Sequence, residues 1–552
     1  MGNTHNYVQE EQLQIIQDKL HAPELDIEPD KIKTEEVASL TALELRSRLL
    51  EARDIKLPEA FKIFHCKKRL ENNEHRVLTD VLYDKPLKRA EELQQMIDEK
   101  RLEPKDVPLL GFILSIKDAN KLKSTVSTNG FAINVGLVET EQPRSIKLLI
   151  EKGALITCKG NVPQALFSME CMNNVFGNAV NPYDEARTTG GSSGGDAALI
   201  ALKCVNTALG SDVAGSLRIP ALFCGIVGFK PTVNRISNDQ LCTYFYKQPF
   251  AKSFASRINI IRPTIGPLAN SVSDAEALMK VLIETQKYDR LVPPLPWRKV
   301  DKPKRVGLFT EFNQLEVAAA YKRALNIAAE ALEKNGIEIV PLNFDDFFED
   351  ILITSATAFM KNDLLRTIIE GNAPIDEPLA SNFKNFHKLL NSPNFLAKFL
   401  AKRDTTDRKI LFLRAVVKHR SVNINAIEQE NTLIYDKIKG RMDKNEIELL
   451  LAPGMVTPAV LHGSSNENSI QAIYTFMFNL LDFPVGAIPI TRVASNEQLY
   501  ETKYDDTIAK SLKENMKGSE GLPVGIQVAA LPWMDEEVFE IMKLIENEVK
   551  NK

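Results

Sequence analysis

The sequence predicts an α/β fold, with strands and helices alternating along most of the chain. Three stretches carry that prediction. Residues 109–116 (LLGFILSI) read as a buried strand, residues 145–152 as a helix stopped by Gly153, and residues 154–158 (ALITC) as the next strand. Residues 305–309 (RVGLF), a helix over 316–335 and residues 337–340 repeat the order strand, helix, strand. Residues 521–531 (GLPVGIQVAAL) then read as a late core strand, and residues 535–549 as a closing helix. Such alternation implies a sheet with helices packed on it.

Taken in order, residues 1–33 are polar and charged, with one short amphipathic piece around Leu13, Ile15, Ile16 and Leu20, and read as a surface arm. Thr41 and Glu44 form a capping box ahead of Leu43, Leu45, Leu49 and Leu50. Leu87, Ala90, Leu93, Met96 and Ile97 fall at helical spacing, so a second helix is expected to about Lys100. Residues 196–205 (DAALIALKCV) read as a helix, and regularity thins after Thr232 until Arg305. Residues 449–452 and 483–489 resume strand-like runs. The chain is expected to divide into an N-terminal helical arm (1–84) and a main domain (85–552) with an amphipathic insertion near 381–420.

That insertion carries two Phe/Leu stripes, Phe383-Phe386-Leu389-Leu390 and Phe395-Leu396-Phe399-Leu400. Ten basic residues, among them Lys384 and Arg408, stand against Asp404 and Asp407, a local charge near +8. Two readings are open: ordinary amphipathic helices with solvated charges, or a peripheral contact with an anionic membrane surface.

Bulk properties narrow the function. A chain of 552 residues with 44% apolar composition can bury a large core, and its net charge of −4 gives no reason to expect a nucleic-acid partner. The six cysteines (Cys66, Cys158, Cys171, Cys204, Cys224, Cys242) show no zinc spacing, and several sit in apolar context, as buried thiols in a reducing compartment do. No secretory apolar region opens the chain and no uncharged run approaches the ~18 residues that span a bilayer. Gly2 follows Met1, but Asn6 stands where an N-myristoylation pattern has Ser or Thr. An intracellular protein is expected, cytoplasmic or peripherally membrane-associated.

The chemistry concentrates in residues 189–232. Gly190-Gly191-Ser192-Ser193-Gly194-Gly195 is followed by a second small-residue turn, Asp212-Val213-Ala214-Gly215-Ser216. Alone, the first run would read as a flexible linker or a phosphate-cradling turn. An apolar helix follows it directly, however, and Asp196 stands where a P-loop needs lysine. Two turns presenting hydroxyls suit a serine nucleophile, which needs a base. No histidine falls between residues 76 and 386. Two bases are therefore open: a histidine folding back from a distance, or a lysine made neutral by burial, for which Lys117 at the end of LLGFILSI is placed.

Lys117-Asp118, the GGSSGG run, Gly210-Ser211-Asp212 through Ser216-Leu217-Arg218-Ile219-Pro220, and Cys224-Gly225 to Lys230-Pro231-Thr232 together resemble the amidase signature family. Asn161-Val162-Pro163-Gln164, Asn181-Pro182, Leu481-Asp482-Phe483-Pro484 and Ala530-Leu531-Pro532-Trp533 are similar to its fatty acid amide hydrolase branch. The resemblance runs over roughly residues 85–545. It implies a central mixed, twisted β-sheet covered by helices on both faces, and a serine hydrolase that cleaves amides. Ser216 stands at the nucleophile position, Ser192 at the relay serine after a cis peptide, and Lys117 at the base. Backbone N–H groups of Val213, Ala214, Gly215 and Ser216 match the oxyanion hole. Leu166, Phe167, Met169 and Phe476 match substrate contacts.

No metal or cofactor is implied. The expected partner is a small-molecule or lipid amide, with a homodimer as a further expectation; membrane contact is expected to be peripheral. Two positions depart from the family. Ala214 replaces a glycine, which would strain the loop if that residue needs positive φ, and Asn270 replaces an arginine. The alternatives are an amidase for small amides, or a catalytically weak scaffold on the same fold.

Overall fold

The computed structural model describes residues 31–241, 260–361 and 422–550, together with Gln14, Asp18, Leu20, Tyr244–Phe245, Gln248–Pro249, 379–381, Lys384 and Arg408. Almost all of the 1–33 arm, and the 381–420 insertion apart from Ser381, Lys384 and Arg408, lie outside the described residues. Arg408 is not part of a solvated face: it is buried, and its guanidinium bonds Asp506 at 2.7 Å through both Nε and Nη2.

The centre is an eleven-stranded mixed sheet. Its strands are β1 (Leu78–Val81), β2 (Ile113–Lys117), β3 (Leu155–Gly160), β4 (Thr207–Asp212), β5 (Val227–Lys230), β6 (Thr264–Ala269), β7 (Arg305–Phe309), β8 (Glu338–Leu342), β9 (Leu449–Pro453), β10 (Val485–Arg492) and β11 (Pro523–Ala530). They lie in the order β1-β3-β2-β4-β6-β5-β10-β11-β9-β7-β8. Parallel pairs occur at β3/β2, β2/β4, β9/β7 and β7/β8, and the remaining pairs are antiparallel. Central strands such as β2, β4 and β11 are buried at every position, so they read as continuous apolar or small-residue runs rather than alternating ones.

Among the described residues of the N-terminal part the helices are α1 (Lys31–Ser39), α2 (Ala42–Ser47), α3 (Leu57–His75) and α4 (Asp84–Asp98). The expected capping box opens α2, with Glu44 N donating to Thr41 Oγ1 and Thr41 N to Glu44 Oε2. Residues 31–84 are continuous with the sheet's core: β1 pairs with β3, and Phe61 and Phe64 of α3 are fully buried. The strand predicted from Leu109 begins only at Ile113, because Gly111 turns the chain with φ +87° while packing on α2.

Later helices are α5 (Arg144–Glu151), α6 (Gly194–Ala201), α7 (Arg218–Cys224), α8 (Val272–Leu282), α9 (Ala319–Lys334), α10 (Phe348–Met360), α11 (Ile424–Lys444), α12 (Ile473–Leu480), α13 (Thr507–Met516) and α14 (Asp535–Lys550). α6 ends at Ala201, short of the predicted Val205, and Lys203 turns away with φ 58°. The expectation that regularity thins between Thr232 and Arg305 is corrected by β6 and α8. β6 (TIGPLA) is hidden in sequence because glycine and proline interrupt its apolar run. Among the described residues no helix is long and apolar enough to cross a membrane.

Candidate active site

β2 and β4 run side by side in parallel, with Ile116 opposite Leu209. Their ends therefore deliver Lys117 and Ser211-Asp212 to the same place. Lys117 is 1% exposed, and its Nζ lies 2.7 Å from Ser192 Oγ, 3.0 Å from Ser211 Oγ and 3.3 Å from Ser211 O. Burial pulls the Lys117 ammonium down to about 8, against the pull of Asp196 and Asp212, which favour the charged form. Ser192 follows a cis Gly191–Ser192 peptide and is buried ahead of α6.

The second turn is held by a buried clamp. Asp212 Oδ1 accepts from Gly215 N at 2.8 Å and Asn479 Nδ2 at 2.8 Å, and its Oδ2 accepts from Leu217 N at 3.0 Å. Arg218 reaches both oxygens at 3.2 Å and also donates to Thr475 O, Gln527 Oε1 and Asn479 Oδ1. Burial alone would raise the Asp212 carboxyl, but the Arg218 charge and these hydrogen bonds outweigh it and hold it well below the usual carboxylate range. The loop between β4 and α7 is thus fixed from beneath by residues far along the chain.

This geometry amends two expectations. Ala214 is not in the positive-φ region, so no strain falls on it; the neighbouring Gly215 carries φ +112°. Glycine is required at 215 for that reason and because a β-carbon there would overlap Thr475, whose Oγ1 donates to Ala214 O at 2.9 Å. Gly215 also cannot offer a free N–H, since it already donates to Asp212. The N–H groups of Val213, Ala214 and Ser216 have no acceptor among the described residues.

Ser216 is half-buried, its hydroxyl makes no hydrogen bond among the described residues, and it lines a cavity of 560 Å³. Leu166, Phe167, Met169 and Phe476 line the same cavity, joined by Leu352 and Phe359 from α10. Phe359 stacks on Phe167 at 5.2 Å and meets Phe476 edge-on at 5.1 Å, so three separate segments form one aromatic wall. None of the described histidines (His65, His75, His462) bonds Lys117, Ser192 or Ser216. His462 instead sits 3.1 Å from Glu170. Among the described residues no group of three His, Cys, Asp or Glu side chains is placed to hold a metal ion.

Ser211, Asp196, Thr475, Asn479, Gln527 and the α10 wall were not assigned roles from sequence. Ser211, Asp212 and Arg218 lie inside the quoted motif, where spacing alone carries no hint of which atoms they touch. Asn479 and Gln527 lie over 250 residues away and give no local signal.

The Amidase family model matches residues 63–539. Fatty-acid amide hydrolase 1 of Sus scrofa is 30% identical over 453 residues, covering 79% of this chain and 75% of that protein. Fatty acid amide hydrolase 1 of Caenorhabditis elegans is 29% identical over 548 residues, covering 95% of this chain and 91% of that one. A solved fatty acid amide hydrolase superposes with a TM-score of 0.79 at 22% identity, over 99% of this chain and 95% of the other, and so shares the fold. The matched residues include every segment that builds the cavity and the clamp, and the chain belongs to the amidase signature family of amide-hydrolysing enzymes.

Proposed function

We propose that Ser216 is the nucleophile of a Ser-Ser-Lys relay that hydrolyses fatty acid amides or N-acylethanolamines. The observation that carries the relay is the buried amine of Lys117, 2.7 Å from Ser192 Oγ, with Gly191, the residue before Ser192, lining the same cavity as Ser216. In the acylation step the Ser216 oxygen bonds the amide carbon while its proton passes to Ser192 Oγ, whose own proton passes to neutral Lys117 Nζ. The carbonyl oxygen becomes an oxyanion facing the unengaged N–H groups of the 213–216 turn. Collapse breaks the C–N bond, and the proton returns through Ser192 to the departing nitrogen. That nitrogen leaves as the amine, and water then cleaves the Ser216 ester by the same path, releasing the fatty acid and restoring the Ser216 hydroxyl. Supplying a proton to a poor leaving group is the demanding part of amide cleavage, and a relay that takes and returns the same proton answers it.

The free base is the working form of Lys117. Since burial lowers it to about 8, kcat/KM is expected to rise with pH up to that value and to fall about tenfold per unit below it. Lys117→Ala is expected to slow covalent labelling by a fluorophosphonate about 10²-fold or more, most strongly above pH 8, where wild-type Lys117 is the free base, with the gap narrowing as pH falls. Labelling that proceeds at the wild-type rate in Lys117→Ala would remove the relay.

Support for a lipid acyl group comes from the cavity's apolar and aromatic lining, and from the fatty acid amide hydrolases among the relatives. In a panel of primary amides, long acyl chains are expected to show kcat/KM at least about tenfold above acetamide, because each buried methylene contributes about 0.8 kcal/mol. Phe359→Ala should narrow that gap without moving the pH profile. Equal rates across the panel would favour a small-amide amidase.

A further inference from the structure

α6 opens at Gly194-Gly195-Asp196, and Asp196 is fully buried. An uncompensated carboxyl in such a place is costly. Its Oδ1 accepts from Ser115 Oγ at 2.5 Å, while Oδ2 has no hydrogen-bond partner among the described residues. A β-carbon at position 160 would overlap the carboxyl, so β3 closes tightly against it. Ser115 and Lys117 are two residues apart on β2 and share one face of the sheet. The Ser115 hydroxyl therefore ties this carboxyl to the face from which the Lys117 amine projects.

We propose that Asp196, anchored by Ser115, is a positioning residue that sets the protonation balance of Lys117 without itself entering the relay. The proposal rests on Lys117 being the base. The elements packed on α6 are α7, β2, β3, β4 and β6. Asp196 faces Lys117 at the end of β2, Asp118 just beyond that strand, Lys159 and the Cys158 thiol from β3, and the Cys171 thiol. Lys117 faces Asp196, Asp212 from β4 and the Cys171 thiol. From α7, Arg218 is engaged with Asp212, and β6 (TIGPLA) carries no titratable side chain.

Burial raises the Asp196 carboxyl to about 7, partly offset by the Ser115 hydrogen bond and the Lys117 charge. The two groups thus change charge in neighbouring pH ranges. Once Asp196 is ionised it favours the ammonium form of Lys117 and delays release of the free base. Removing that negative charge lets Lys117 become neutral at lower pH.

Asp196→Asn keeps the size of the side chain and a hydrogen-bond acceptor for Ser115. The acid limb of its kcat/KM profile is expected to move down by about one pH unit. A limb at the wild-type position overturns the proposal. Should that variant fail to fold, Ser115→Ala provides the same test with a smaller change. Without its hydroxyl the carboxyl stays protonated to higher pH, so the limb should shift in the same direction by less, and an unmoved limb again overturns the proposal. Fluorophosphonate labelling of Lys117→Ala, run alongside, separates two failures. Labelling that ignores Lys117 removes the base assignment and Asp196's role with it; labelling that needs Lys117, with an unmoved limb, removes only the role of Asp196.

Discussion

Ser216→Ala is expected to abolish fluorophosphonate labelling and to lower kcat on a long-chain amide by about 10⁴–10⁶-fold, the scale on which serine hydrolases lose rate with their nucleophile. The fold should survive, since the Ser216 hydroxyl makes no hydrogen bond among the described residues and is half-buried at a cavity wall. A thermal melt within a few degrees of wild type, beside the lost rate, would assign the effect to chemistry. What remains should reflect substrate binding and the N–H groups of the turn, which still stabilise an oxyanion formed by attacking water. A variant that keeps a tenth of its rate would show that another group attacks the amide.

The largest stability effect is expected at Arg218. Its guanidinium is fully buried and meets Asp212, Asn479, Gln527 and the Thr475 carbonyl at once. Arg218→Met removes the cation but leaves the Asp212 carboxylate and three acceptors in a dry site. Breaking a buried pair from one side costs about 3–5 kcal/mol, mostly through the charge left behind. The unfolding transition should fall accordingly in a thermal or urea experiment. Combining it with Asp212→Asn should cost less than the two single changes added together, because the stranded charge is then gone. Strict additivity would mean that the pair is not coupled as drawn. The active-site turn should loosen with the clamp, so labelling of Ser216 should slow even in the fraction that stays folded.

Legibility in sequence followed the physical origin of each feature. β7, α9 and β8 are readable because an amphipathic helix between two short apolar runs has a local period. The two serine turns are readable because unusual backbone shapes concentrate glycine. β4, β5 and β6 are hard to read, since strands covered on both faces have no alternation to display and these carry Gly, Pro, Ser and Asp. Ser211's contact with Lys117 follows from the parallel register of β2 and β4, a property of the assembled sheet. The expected strain at Ala214 fails for a similar reason: which residue of a tight turn takes positive φ depends on what it packs against, here Thr475 on α12. The pairing of Asp212 and Arg218 with Asn479 and Gln527 depends on β5 lying beside β10, and that beside β11, an adjacency no spacing encodes.

The aromatic wall has one further implication. Phe359 belongs to α10, for which no hydrogen bond to Lys117, Ser192 or the 213–216 turn is found among the described residues. Phe476 of the same wall follows Thr475, which holds the Ala214 carbonyl, so a substitution at 359 can reshape the cavity without touching that hold, whereas one at 476 adjoins it.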